Sequence, residues 1–110
     1  NVAVDATEID AKDGFWQITG ENTKATVITD IKNAKPGVGY LIECGSKTNA
    51  SKISKTGKFE DITAAYTPTE EGDYILVLLN SKGNFRELER CVGGVRTVNT
   101  DLQPNLPGVR

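Results

Sequence analysis

Residues 72–90 read Gly-Asp-Tyr-Ile-Leu-Val-Leu-Leu-Asn-Ser-Lys-Gly-Asn-Phe-Arg-Glu-Leu-Glu-Arg, and this stretch decides the fold. It contains the longest apolar run of the chain, Tyr74–Leu79. A polar break that includes a glycine follows at residues 80–84, and a second extended segment covers residues 85–90. Two extended segments on either side of a short polar break predict a β-hairpin.

The first arm of this hairpin is apolar on both of its faces. A strand can be apolar on both faces only where both are covered, so we expect this arm to be central in its sheet or sandwiched between layers. A buried helix is the competing interpretation, but the six residues between the flanking turn signals are too few for one. The two faces carry Tyr74, Leu76 and Leu78 on one side and Ile75, Val77 and Leu79 on the other.

Length and composition indicate one small all-β domain. The chain has 110 residues, 37% of them hydrophobic, with 11 glycines and no methionine, which favours strands and turns over a helical bundle. The net charge is −2, and no basic block exists, so nucleic acid is not an expected partner. No apolar run approaches membrane-spanning length, so no membrane contact is expected. Because neither an initiator Met nor a signal peptide is present, we expect a processed piece of a larger protein.

We predict a β-sandwich or barrel-like antiparallel domain over residues 14–98, with an extended N-terminal arm at residues 1–13 and an extended C-terminal tail at residues 99–110. Phe85 and Leu88 are out of phase with a flat strand, which predicts a bulge near Glu87. Residues 59–66 are expected to form a short strand or an irregular stretch. Alternating β-branched and apolar residues between turn signals predict further strands at residues 15–19, 25–31, 39–44 and 95–98.

Three residues leave alternatives open. Trp16, the only tryptophan, is interpreted as a core residue, with a sugar-stacking surface as the alternative. Cys44 and Cys91 are far apart in sequence. They are interpreted as two small buried side chains in a reducing environment, or else as a disulfide that joins two strands.

The residues of the chain do not form a pattern typical of catalysis. Without histidine, the common nucleophile–base systems and histidine metal sites are excluded. No glycine-rich loop has phosphate-binding spacing. One group of acids near the N-terminus is spaced like a Ca²⁺ loop but lacks its Gly and its final Glu, so these side chains are interpreted as solvated. We therefore expect no enzyme activity, no catalytic or metal site and no cofactor. The acids concerned are Asp5, Glu8, Asp10 and Asp13.

Five stretches in this order resemble β-sandwich-like structural domains of tailed-phage virion proteins, of the head decoration, head fibre and capsid-protein extension type. The resemblance implies a non-enzymatic structural protein of a bacteriophage virion, most simply a capsid decoration or capsid-surface domain. It would lie in the virion and assemble with copies of itself and with capsid or other virion proteins. The stretches are residues 15–20 (FWQITG), 26–37 (TVITDIKNAKPG), 40–45 (YLIECG), 67–75 (TPTEEGDYI) and 83–88 (GNFREL).

Extended termini can link subunits by adding strands to a neighbour, so apolar residues in the two arms are the predicted partner contacts. The alternative function is a carbohydrate-binding or adhesion module on a bacterial cell surface, with aromatic rings as its platform. The virion function predicts a buried Trp16, whereas the adhesion function predicts at least two exposed, coplanar rings among Trp16, Tyr40 and Tyr66. The predicted partner contacts are Val2, Val4, Ile9, Leu102, Leu106 and Val109.

Overall fold

A computed structural model describes residues 1–100 of the chain. Two short 3-10 helices, Ala11–Asp13 and Gly57–Phe59, are its only helical elements over that range. The remaining elements are strands, and the all-β prediction is confirmed. The strands are β1 (Glu8–Asp10), β2 (Trp16–Thr19), β3 (Asp30–Lys32), β4 (Gly39–Cys44), β5 (Tyr74–Leu79), β6 (Phe85–Val92) and β7 (Val95–Val98).

The predicted hairpin is the centre of a five-stranded sheet with the order β2-β4-β5-β6-β7. Strand β5 pairs antiparallel with β4 on one edge and with β6 on the other, which confirms its central position. The pairing register shifts between Leu76 and Val77, where β6 carries the extra residue Leu88. This bulge lies beside Glu87, where the sequence predicted it.

The sequence predicted an antiparallel domain, but two of the strand pairs are parallel. β2 pairs parallel with β4, and β1 pairs parallel with β3 in a separate two-stranded sheet. A parallel pair needs a connection long enough to return the chain to the same end of the sheet. The chain passes through β2 on its way from β1 to β3, and through β3 on its way from β2 to β4, so neither pair is a hairpin. The predicted strand over residues 25–31 is reduced to β3 and an isolated bridge between Val27 and Lys52.

The hydrophobic core lies between one face of the five-stranded sheet, here called the inner face, and a second layer. The sheet contributes Tyr40 and Ile42 from β4 and Ile75 and Val77 from β5, all buried. The second layer consists of the small β1–β3 sheet, of residues 26–29 directly before β3, and of a largely irregular segment, residues 50–68. Its buried side chains are Ile9, Ile28, Ile31, Ile53, Phe59, Ile62 and Tyr66.

A buried ion pair connects the two layers. The carboxylate of Glu87 on β6 is fully buried, and Nη2 of Arg90 lies 2.7 Å from its Oε1. The same guanidinium donates hydrogen bonds to the carbonyl oxygens of Ala64 and Ala65, at 2.6 and 3.0 Å. Thr63 completes the set, because its backbone N–H and its hydroxyl both donate to Glu87. Burying a charge is tolerated only where it is paired and hydrogen-bonded, and this network meets both conditions.

Asp73 joins three backbone segments at the start of β5. It is buried, and its carboxylate accepts hydrogen bonds from the backbone N–H groups of Thr69 and Glu70, both at 3.0 Å. Gly93 and Gly94, in the turn between β6 and β7, donate to it at 2.8 and 3.3 Å. Desolvation acts to raise the pKa of Asp73, but these backbone N–H donors outweigh it and hold the pKa below its ordinary value.

We expect Asp73→Asn to destabilise the protein by about 2–3 kcal/mol at neutral pH, because a buried charge-assisted network loses its acceptor. The folded-state pKa is lowered, so this stabilisation is fully present above the unfolded value of about 3.9 and is lost as the pH falls through the folded pKa. The difference in free energy of unfolding between wild type and variant should therefore become smaller in acid. Urea unfolding between pH 3 and pH 7 measures it.

Glu71→Gln is the matched control, because Glu71 lies two residues away and is exposed. This control should unfold at the wild-type urea concentration. A gap between wild type and Asp73→Asn that stays constant from pH 7 to pH 3 would contradict the role given to the carboxylate charge.

Candidate interaction surface

The opposite face of the five-stranded sheet, here called the outer face, is also rich in apolar side chains. Because successive residues of a strand point to opposite sides, the residues that alternate with the buried inner ones lie on this face. It was expected to be covered like the inner face. The outer face consists of Trp16, Ile18, Gly39, Leu41, Glu43, Tyr74, Leu76, Leu78, Arg86, Glu89, Cys91, Arg96 and Val98.

The pairing register arranges this face in rows that run across the strands. The central row contains Trp16, Leu41, Leu76, Glu89 and Val98 in that order. One neighbouring row contains Ile18, Glu43, Tyr74, Cys91 and Arg96. The other contains Gly39, Leu78 and Arg86. Leu76 is therefore the middle residue of the middle row.

The described residues 1–100 leave this face partly open to solvent. Leu41, Leu76 and Leu78 are half-buried and do not belong to the core cluster, unlike their inner-face neighbours. Trp16 is 60% exposed at one end of the central row, and Val98 is 40% exposed at the other. The apolar stripe of this face runs from Trp16 through Leu41 to Leu76 and Leu78, and an exposed apolar stripe is typical of a surface that contacts another protein.

Two polar networks lie among these apolar residues. The indole Nε1 of Trp16 donates a hydrogen bond of 3.0 Å to Oε1 of Glu43. Arg96 contacts Glu89 in a bidentate pair, with Nε and Nη2 at 2.8 and 3.0 Å from the two carboxylate oxygens. The hydroxyl of Tyr74 also donates to Glu89. The guanidinium, followed by this hydroxyl, lowers the pKa of Glu89, and the hydrogen bond to Glu89 raises the pKa of Tyr74.

Two opposite charges on this face have no ion-pair partner within residues 1–100. Glu43 accepts the indole hydrogen bond but contacts no cation. Arg86, beside Leu78, makes neither an ion pair nor a hydrogen bond through its side chain there. Both side chains are half-buried. Charged groups in this position are available to a docking partner.

The aromatic residues do not lie where either function predicted them. Trp16 is exposed, so its predicted burial in the core is wrong. A parallel edge strand explains this, because β2 turns Gln17 and Thr19 inward and Trp16 outward. Tyr40 and Tyr66 are 6% and 1% exposed, so the predicted three-ring platform for sugar is wrong as well. Phe15, which directly precedes β2, is also exposed.

The predicted partner contacts in the N-terminal arm have different positions. Val4 is 60% exposed, whereas Val2 packs against the core cluster. Ile9 needs correction, because β1 pairs with β3 and buries its side chain to 3% exposure. The predictions for Leu102, Leu106 and Val109 lie outside the described residues, as does most of the predicted tail.

Two of the N-terminal acids accept hydrogen bonds from other parts of the fold. Asp5 accepts hydrogen bonds from the hydroxyl and the backbone N–H of Thr23, and these two bonds lower its pKa. Asp10 caps the first 3-10 helix through the backbone N–H of Lys12 and also bonds Asn33. Within residues 1–100, no three His, Cys, Asp or Glu side chains are grouped to hold a metal ion. No helix in that range has the length and hydrophobicity needed to cross a bilayer.

The two cysteines are both free, so a disulfide between them is excluded. Cys44 follows the inner residues of β4 and is buried, while Cys91 lies opposite Tyr74 on the outer face. The sheet itself therefore separates the two thiols. Burial raises the pKa of the Cys44 thiol, which disfavours the reactive thiolate.

The concave regions of the described surface are shallow. One, of about 330 Å³, lies beside the ion pair between Lys58 and Asp30, whose atoms are 3.1 Å apart. One oxygen of Asp30 there is buried without a hydrogen bond. The polar side chains that line it include Lys32 and Asn33, and the cation of Lys58 is already paired with Asp30. The outer face is therefore the best candidate functional surface of the described residues.

Comparison with known proteins gives no match: no family model, no curated protein and no solved structure is similar to this chain. The chemistry of the outer face must therefore carry the functional argument. The sequence did not predict this surface, because β5 is apolar on both faces and both were therefore expected to be covered. One feature of the sequence could have indicated it, namely the charged residues clustered in β6. Two of them, Glu89 and Arg86, lie beside Leu76 and Leu78 on the outer face.

The open face can be tested by a matched pair of substitutions in neighbouring positions of β5. We expect Val77→Asp to destabilise the protein by about 4 kcal/mol or more, because Val77 is 0% exposed and its site offers no partner for a carboxylate. Leu76→Asp should cost about 1–1.5 kcal/mol, since water reaches that carboxylate. Urea unfolding at low protein concentration measures both. Equal losses would show that another part of the chain covers the outer face.

Proposed function

We propose that this chain is a non-enzymatic structural domain of a bacteriophage virion, a capsid decoration or capsid-surface domain that assembles with copies of itself and with capsid protein. The single observation that carries the proposal is the open, apolar outer face. The resemblance of residues 15–90 to virion domains supplies the type of particle. The proposal includes a location in the virion.

The composition of the outer face suits assembly between proteins. Interfaces combine an apolar centre with a polar periphery, and they are enriched in tryptophan, tyrosine and arginine. Here Leu41, Leu76 and Leu78 form the centre. Trp16 lies at one end of the central row and Arg86 at a corner of the face. A sheet with a fixed register holds these groups in place before binding, which lowers the entropy cost of association.

The exposure of Trp16 was the observation expected of the adhesion alternative. Of the three rings predicted for the sugar platform, Trp16 alone is exposed, and its indole N–H already donates to Glu43. On an assembly surface, the same ring supplies a large apolar contact that becomes buried only when the partner binds. The assembly function therefore accounts for Trp16 without a second ring.

Immunogold electron microscopy of lysates from source cells, with antibody against this domain, tests the proposed location. We expect gold on capsid-like heads, because the domain is proposed to lie on the capsid surface. Gold on tails would retain the virion but correct the position. Gold confined to cell surfaces or vesicles, with particles bare, would overturn the proposal and favour the adhesion module, which a glycan array would then test.

Variants of the outer face test which surface is used. We expect Leu76→Asp to reduce incorporation into particles by at least tenfold relative to wild type, because it places a charge at the centre of the interface. Val95→Asp is the control, since Val95 is exposed on β7 but lies off the outer face. Incorporation measured by quantitative blotting of purified particles should be normal for the control. Normal incorporation of Leu76→Asp would exclude the outer face.

A further inference from the structure

We propose that the outer face binds the outer face of a second copy of this chain about a two-fold axis beside Leu76, with Glu43 of each copy against Arg86 of the other. The inference rests on the proposed function only in taking the outer face as the assembly surface. It adds which of the proposed partners occupies this face, the symmetry of the contact and the residues that fix its orientation.

The positions of the two unpaired charges carry this inference. Glu43 lies opposite Tyr74. Relative to Leu76, it is therefore displaced by one strand towards β4 and by two residues along the strand. Arg86 lies opposite Leu78, one strand to the β6 side and two residues along in the other direction. The two charges therefore lie at equal distances from Leu76 on a line that passes through it. Neither has an ion-pair partner in the described part of the chain.

This arrangement is self-complementary under a half-turn. A two-fold axis that lies in the face, passes Leu76 and runs perpendicular to the line from Glu43 to Arg86 exchanges the two ends of that line. Each Arg86 of one copy then lies over Glu43 of the other, which gives two equivalent ion pairs on either side of a contact between the two Leu76 side chains. An interface in which residue i contacts j, and j contacts i, is the isologous type that closes as a dimer.

The apolar side chains match under the same operation. With strands about 4.8 Å apart and a rise of about 3.4 Å per residue, Leu78 of one copy falls beside Leu41 of the other. Trp16 falls near Gly39, which has no side chain on this face. The strands of the two copies cross at a large angle, in the orthogonal class of sheet packing.

The remaining charges of the face do not oppose this contact. Glu89 and Arg96 neutralise each other within one copy through their bidentate pair. Oε1 of Glu43 accepts the indole hydrogen bond of Trp16, which orients the carboxylate and leaves its second oxygen for a guanidinium. Pairing with Arg86 of a second copy would satisfy both residues at once.

Charge exchange tests the proposal on the full chain. We expect wild type to be a dimer by sedimentation equilibrium. Glu43→Arg places two arginines against each other, and Arg86→Glu places two glutamates against each other. Each variant should weaken dimerisation at least about a hundredfold, because both symmetric pairs become repulsive. The double variant, E43R with R86E, should restore the dimer, because both pairs are again of opposite charge.

A mixture of the two single variants is the sharpest measurement. One variant then carries only arginine at both positions and the other only glutamate, so a mixed dimer has two attractive pairs while each variant alone has none. We expect two monomeric samples to form a dimer when mixed. The far-ultraviolet circular dichroism of each single variant should equal that of wild type, since both side chains are half-buried at the surface.

Three results with the full-length chain would overturn the proposal. They are a wild type that remains monomeric at millimolar concentration, a dimer that Arg86→Glu does not weaken, and single variants that do not associate when mixed. A chain that dimerises only after removal of residues 101–110 would also overturn it, because the chain's own C-terminal segment would then be the occupant of the face. Each of these results leaves the gold labelling of particles unaffected, so failure of this inference is distinguishable from failure of the proposed function.

Discussion

The structure depends on the pairing of β5 along both of its edges. Its backbone groups bond to β4 on one side and to β6 on the other, so the strand has no free edge. Its inner side chains, Ile75 and Val77, are fully buried, and they fix which face of the sheet contacts the second layer. Once that face is fixed, the alternation of every neighbouring strand follows, including the outward direction of Leu41 and Trp16.

The polar interior adds specificity to this apolar packing. Aliphatic side chains alone tolerate several arrangements of an irregular second layer, because hydrophobic burial has no direction. The ion pair of Glu87 and Arg90 permits only one of these arrangements, because the guanidinium must lie at hydrogen-bond distance from the carbonyl oxygens of Ala64 and Ala65. Asp73 likewise requires the β6–β7 turn to lie beside the start of β5. These buried charges define the position of segments that have little regular secondary structure of their own.

Local patterns predicted the local structure well. The hairpin, the bulge beside Glu87 and the strand over Gly39–Cys44 all depend on the alternation and turn residues of one short stretch. The parallel pairing of β1 with β3 and of β2 with β4 was missed, because it joins segments that are distant in sequence and leaves no local signal. The burial of Ile9 follows from that pairing and was missed with it.

The candidate surface was only partly predictable for the same reason. The sequence showed that Leu76 and Leu78 alternate with Ile75 and Val77, but it did not show which set the second layer covers. Glu87 shows a related limit, since the sequence predicted the bulge beside it but not the full burial of its charge. Its partner Arg90 is three residues away, and the register shift at the bulge brings the two side chains to the same side of the strand. The charges that matter most for the outer face, Glu43 and Arg86, become significant only when the register places them on opposite sides of Leu76.

The parallel strands also set an order for folding during synthesis. β2 leaves the ribosome before β4, its one partner in the sheet, and β4 in turn needs β5. The antiparallel unit of β5, β6 and β7 has short connections and closes with little loss of chain entropy. β2 must therefore wait, unpaired, until β4 and β5 have been made. During that interval Trp16 and Ile18 form an open edge that a nascent-chain chaperone is suited to cover.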